Sequence, residues 1–197
     1  MIKKLFLMFL LSSSAGMFSS QANAVFIDFE SQANLEALST QFVPDGLEIN
    51  NAIVLESGIS LNEIDFPPSS GVHAITGIGS GPISLIFVDP ASQPYDFIGF
   101  HITTSADAAI NIFDDTSSLL STIPITPNTS AGLGFSYSLS GAILGQIDIA
   151  NTDGSAFLLT LDDIEFNVSP VPLPAAIWLF GTALIGLGRF GGRKKTA

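Results

Sequence analysis

Short apolar runs and polar breaks alternate along most of the chain. Val25-Phe26-Ile27-Asp28-Phe29-Glu30 alternates with period two, as a strand buried on one face does. Asp45-Gly46 is a turn signal, and Leu47 to Leu55 follows it as a further strand-like run. Further runs of this kind are Ile83 to Val88, Phe97 to Thr103, Ala109 to Phe113, Leu119 to Ile125, Phe135 to Leu139, Ile143 to Ile149 and Phe157 to Phe166. Between them lie clusters of Gly, Pro, Ser, Asn and Asp, the longest a Gly/Pro/Ser-rich stretch from Ser57 to Pro82. Ser31 to Thr40 is the one place that suggests a short helix, with Leu35 and Leu38 on one face. Strands at spacings of about 8–12 residues, without a long helical period, predict an all-β sandwich or barrel.

The two ends follow different patterns. Met1 to Ala24 begins with Lys3 and Lys4, continues through apolar Leu5 to Leu11, and ends in Ala22-Asn23-Ala24. Charged start, apolar centre and small-x-small finish make a secretory signal, read by the Sec machinery and cut by signal peptidase after Ala24. At the other end, residues 169–197 hold Val171-Pro172-Leu173-Pro174-Ala175, an apolar stretch and a basic tail with Arg189, Arg193, Lys194 and Lys195. The 17 residues of 174–190 would make about 25 Å of helix, at the short end for crossing a bilayer. Positive charge beyond that helix places the 189–197 tail in the cytoplasm and the domain of residues 25–168 outside.

The order of motif, apolar helix and basic cluster resembles the PEP-CTERM sorting signals of Gram-negative bacteria, in the variant whose motif reads VPLPA. That resemblance implies recognition by an exosortase, an inner-membrane intermediate, and delivery to the cell surface or the extracellular exopolysaccharide matrix. Leu173 stands where the commoner pattern has Glu.

Charge sharpens this picture. The net charge is -12, but all 18 acidic residues lie between Val25 and Pro170, where there is no Lys or Arg. Such a domain repels phosphate backbones, so nucleic acid is excluded as a partner. Its carboxylates must be solvated, dispersed or bound to cations. The chain has no cysteine, which rules out disulfides and thiolate chemistry.

Phe26-Ile27-Asp28-Phe29-Glu30 and Leu161-Asp162-Asp163-Ile164-Glu165-Phe166 resemble the first and last strands of galactose-binding-like jelly rolls, common among carbohydrate-binding modules. The resemblance implies an antiparallel two-sheet jelly-roll-like sandwich with those strands adjacent and a structural calcium between them. Glu30 with Asp162 or Asp163 would be its carboxylate ligands, only one of the pair facing a given site because neighbours on a strand point opposite ways. Asp114-Asp115 near Asp107 reads as a turn. His101, within a strand, reads as structural, while His73, in the loop, is the better candidate for a ligand contact. Gly77-Ile78-Gly79-Ser80-Gly81 is followed by Pro82 and a strand, with no Lys near, so it is not a phosphate loop. No G-x-S-x-G motif occurs, and the domain is not expected to be an enzyme. Trp178 belongs to the apolar tail, leaving Tyr95 and Tyr137 as sugar-platform candidates beyond Phe. A structural or binding role linked to exopolysaccharide and biofilm, with polysaccharide as the candidate partner, heads the function classes. A small carbohydrate-active hydrolase and an adhesin or pilus-like subunit are the alternatives.

Overall fold

The computed structural model describes residues 23–90, 95–139 and 143–168, all within one compact unit. These form twelve strands: β1 (Asn23–Ile27), β2 (Ala37–Leu38), β3 (Leu47–Asn50), β4 (Ala52–Glu56), β5 (His73–Gly77), β6 (Ile83–Phe87), β7 (Tyr95–Thr104), β8 (Ala108–Asp114), β9 (Leu119–Ile125), β10 (Leu133–Ser138), β11 (Leu144–Asn151) and β12 (Leu159–Val168). One 3-10 turn, Val43–Asp45, precedes β3. Sheet A runs β10-β7-β12-β5-β4-β2, with β1 also paired to β12, and sheet B runs β3-β6-β11-β8-β9. Every strand pairing is antiparallel.

Period-two alternation builds the core. From sheet A come Val54, Ile75, Ile98, Ile102, Leu161, Ile164 and Phe166; from sheet B come Leu47, Ile49, Ile83, Leu85, Ile110, Ile112, Ile147 and Ile149. All are fully buried, so two inner faces interdigitate as in an antiparallel β-sandwich. Phe87, Tyr95 and Phe166 pack ring against ring, with centroids 4.7–5.8 Å apart. The Tyr95 hydroxyl donates to the Val88 carbonyl at 2.9 Å.

Three local expectations change. Ser31 to Thr40 is turns and the short β2, not helix; Leu35 takes a left-handed φ of 64° and faces solvent while Leu38 is buried. The run Leu47 to Leu55 is two strands in different sheets. Asn51, at φ 59°, breaks it, and its side-chain amide donates to the carbonyls of Gly81 and Pro82 at 2.9 and 3.0 Å. One asparagine thus pins both the β3–β4 and the β5–β6 crossings between sheets. Finally, the Gly/Pro/Ser stretch contains β5, which pairs with β4 over its full length.

The first and last strands are neighbours, as the sequence predicts: β1 pairs with β12 from Asn23↔Val168 to Ile27↔Ile164. β5 pairs with the same edge of β12 further back, at Leu161↔Ile75. β1 and β5 therefore lie end to end beside β12. Where they meet, β12 bulges: its register with β7 shifts between Asp162 and Glu165, and Asp163 adopts φ 51°.

Candidate functional site

The bulge determines where the acids point. Asp162 and Asp163 both reach the loop before β5, because the left-handed backbone of Asp163 itself cancels the usual alternation. The Asp162 Oδ2 accepts from the backbone N–H of Ser69 at 2.7 Å and of Ser70 at 3.0 Å. The Ser70 hydroxyl donates to Asp163 at 2.5 Å. Glu30, just past β1, accepts from the N–H groups of Val72 and His73, both at 2.9 Å. Gly71, between these pairs, has φ 53°, and a Cβ there would run into the Glu30 carboxylate. The three carboxylates fasten one five-residue loop where two strands of a sheet meet.

Glu30, Asp162 and Asp163 do come together on one loop, but the groups facing them are hydrogen-bond donors. Calcium needs six to eight oxygen ligands. Among the described residues no group of three or more His, Asp and Glu is placed to hold a metal ion. In this arrangement the amides of Ser69 and Ser70 serve Asp162, the Ser70 hydroxyl serves Asp163, and the amides of Val72 and His73 serve Glu30. Asp162 is 3% exposed. Burial pushes its carboxyl up to about 6, against the opposing pull of the Ser70 amide.

The two histidines differ in exposure. His73 is held in β5, its side chain 12% exposed, with Nδ1 3.5 Å from Glu30 and Nε2 3.9 Å from Glu56. His101 has a side chain 47% exposed on the outward face of sheet A. Its Nδ1 is hydrogen-bonded to the Ser69 hydroxyl at 2.8 Å and lies 3.8 Å from Asp163. Ser, His and Asp here are not a catalytic relay, in which serine and carboxylate engage opposite ring nitrogens; both meet the same one. Parity within β7 would have placed His101 correctly: Ile98, Phe100 and Ile102 are buried, so 99, 101 and 103 face out.

Two adjoining depressions that share His101 mark the outward face of sheet A. One, about 260 Å³, lies between Pro67-Pro68-Ser69, Thr103, Gly132, Thr160 and Asp162. The other, about 220 Å³, has Gly99 and Gly134 as its floor, Phe26 and Phe97 beside it, and Ser136, Asp163 and Glu165 as polar groups. Gly134 sits opposite His101 in the β10–β7 register, and Ser136 opposite Gly99. The trough thus exists because two facing strands lack side chains where a sheet normally carries them. Phe26 is 59% exposed, which is unusual for a Phe in this domain. Tyr95 is fully buried and Tyr137 packs on the core, so neither provides the platform expected of them. Asp114 forms the expected turn, accepting from Thr116 and Ser118; the Thr116 hydroxyl is the main cause that holds its carboxyl below the usual range.

Ala24, beside the expected cleavage point, lies within β1, opposite Asn167. Ala22, the 171–175 motif, the 174–190 helix and the basic residues Arg189, Arg193, Lys194 and Lys195 lie outside the described residues.

Fold and site together define an antiparallel β-sandwich with an open, glycine-floored trough on one outer face. No family model and no curated protein sequence matches the chain. Among solved structures it is similar to the K2 adhesin domain of Lys-gingipain, at 14% identity and TM-score 0.47, covering 73% of this chain and 99% of that one. It is also similar to a mutant family 29 carbohydrate-binding module described as complexed with cellulohexaose, at 12% identity and TM-score 0.47, covering 76% and 93%. A further structure described as a carbohydrate-binding module of family 29 gives 12% and 0.46, covering 75% and 90%. Likeness of this size says nothing about ligand.

Proposed function

We propose that this is an exported, jelly-roll-like glycan-binding domain, displayed at the cell surface or in the extracellular matrix, that binds without turnover. The trough on the outward face of sheet A carries this reading. From Phe97 to Thr103 along β7 it extends about 20 Å, long enough for an extended chain of sugars. Phe26 and Phe97 offer apolar surface to sugar rings, and His101, Ser136, Asp163 and Glu165 offer separated polar groups to hydroxyls. An open trough suits a chain passing through it. The N-terminal signal supports export through the Sec machinery, and the VPLPA-type tail supports sorting by an exosortase through the inner membrane of a Gram-negative bacterium. Calcium has no part in this reading.

The test is binding of the protein to a panel of soluble polysaccharides, namely mannan, mixed-linkage glucan, galactan and polygalacturonate, by affinity electrophoresis. At least one should retard the wild type. Phe26→Ala combined with Phe97→Ala should weaken that interaction by about tenfold or more, equivalent to about 1.4 kcal/mol. Retardation by none of the panel, or retardation indifferent to the double substitution, would remove the trough as a glycan site.

A further inference from the structure

β9 and β10 are consecutive in the chain, and each is the last strand of its sheet. β2 and β4 lie toward the other end of sheet A and β3 at the other end of sheet B. The chain crosses directly between β3 and β4 there, so β9 and β10 close the opposite side of the sandwich. The segment that forms both strands is uncharged, and the nearest acids along β10, Asp65 beside Ser130 and Asp96 beside Leu139, lie at its two ends. From Thr116 to Ile147 the sequence holds no Asp, Glu, Lys or Arg, although the rest of the domain carries all 18 acids. It is also incompletely covered: Ile123, Phe135, Tyr137 and Leu139 pack against the core yet remain partly accessible, and Leu119, Leu120 and Leu133 are exposed.

An edge strand turns alternate backbone N–H and C=O groups away from its neighbour, and soluble proteins commonly guard such edges with charge or proline. β9 has Pro124 within it; β10, Leu-Gly-Phe-Ser-Tyr-Ser, has neither guard. We infer that β10 is a pairing edge for β10 of a second copy of this chain, joining two A sheets antiparallel across a two-fold axis. The charge distribution selects that occupant. With no basic residue between Val25 and Pro170, contact between copies through other faces opposes carboxylate to carboxylate, whereas the 116–147 side meets its own image without that cost. Hydrogen bonding along the strands supplies the attraction and Leu133, Phe135 and Tyr137 supply apolar contact. The joined sheet would carry both troughs on one face, giving avidity toward a repetitive polymer; the dimer itself does not depend on the glycan reading.

The experiment uses the full chain in detergent, where the absence of native cysteine permits a clean scan. Single cysteines at each of residues 133–138 should give, on mild oxidation, a disulfide-linked dimer at one position or at the two flanking the symmetry axis. Cysteines at Ser121 and Thr122 of β9 should stay monomeric. Leu133→Glu with Ser138→Glu should lower the dimer fraction by about tenfold or more, with the circular dichroism of the fold unchanged. Added NaCl should promote dimer, because screening weakens the repulsion between the acidic bodies. A chain monomeric at every concentration, equal cross-linking on β9 and β10, or a dimer indifferent to the two glutamates overturns the inference.

Discussion

The outward faces of the two sheets are built from the same period-two pattern but end up different. On sheet B the outward polar side chains bond to one another. Ser84 donates to Asp148 at 2.6 Å, Gln146 to the same carboxylate at 2.7 Å, Thr122 to Asn111 at 2.8 Å and Asn50 to Glu48 at 2.8 Å. That face satisfies itself. On sheet A two glycines empty the centre, the polar groups around them, His101, Ser136, Asp163 and Glu165, stand on the strands, and the adjoining 69–73 loop is tied down by Asp162 and Asp163. A binding face arises here by removing side chains from facing strands and by tying down the loop beside the gap, which leaves polar atoms free to address a ligand.

The largest difference expected between the faces is in stability. Asp162→Ala leaves the Ser69 and Ser70 amides without their acceptor and should cost about 1–3 kcal/mol in chemical denaturation. Asp148→Ala on sheet B, where water can replace the lost bonds, should cost about 0.5 kcal/mol. Equal costs would mean the loop is not held by Asp162. Asp162→Asn keeps an oxygen for the amides but cannot ionise, and so isolates the charge. The folded protein binds the Asp162 proton more tightly than the unfolded chain does, since the carboxyl is raised from 3.8 to about 6. Its contribution is fully present below pH 3.8 and is lost as pH climbs through about 6. Relative to Asp162→Asn, the wild type should therefore lose stability over that window, by an amount of order 2 kcal/mol. A flat difference between the two pH profiles would show that Asp162 is not a buried charge.

The smallest expected effect concerns calcium. With Glu30 and Asp162 accepting from loop amides and Asp163 from the Ser70 hydroxyl, calcium should raise the melting temperature no more than NaCl of equal ionic strength, screening being the common cause. A calcium-specific rise that Glu30→Ala abolishes would show that the 69–73 loop gives way to the ion.

Much of the scaffold could be read from the sequence, because a one-residue slip moves a whole strand's apolar set to the wrong face. The alternation in Ile83 to Phe87, Ala108 to Asp114 and Leu159 to Val168 left little freedom, and the pairing of the end strands was what their resemblance to galactose-binding-like jelly rolls implied. Two kinds of feature escaped. The switch of sheets at Asn51 does not disturb the alternation on either side of it, so only the left-handed residue marks it. The bulge at Asp163 reversed the rule that neighbours face apart, which is why two acids meet one loop where one was expected. The carboxylates were legible as a group because their strands were; their partners were not, because backbone amides leave no trace in composition. The trough itself was hidden in two glycines, Gly99 and Gly134, far apart in sequence and brought together by the β7–β10 register.

That pair of glycines gives the most direct test. A side chain at Gly134 would meet the His101 ring at 3.5 Å, an ordinary contact, and its backbone is not left-handed, so Gly134→Val should fold normally while filling the trough. The measurement is a titration of the polysaccharide that binds wild type best against Gly134→Val and, as control on the other face, Ser84→Val. The account requires Gly134→Val to bind about tenfold more weakly or worse, with Ser84→Val unchanged. Undiminished binding by a folded Gly134→Val, or an equal loss in Ser84→Val, would contradict it.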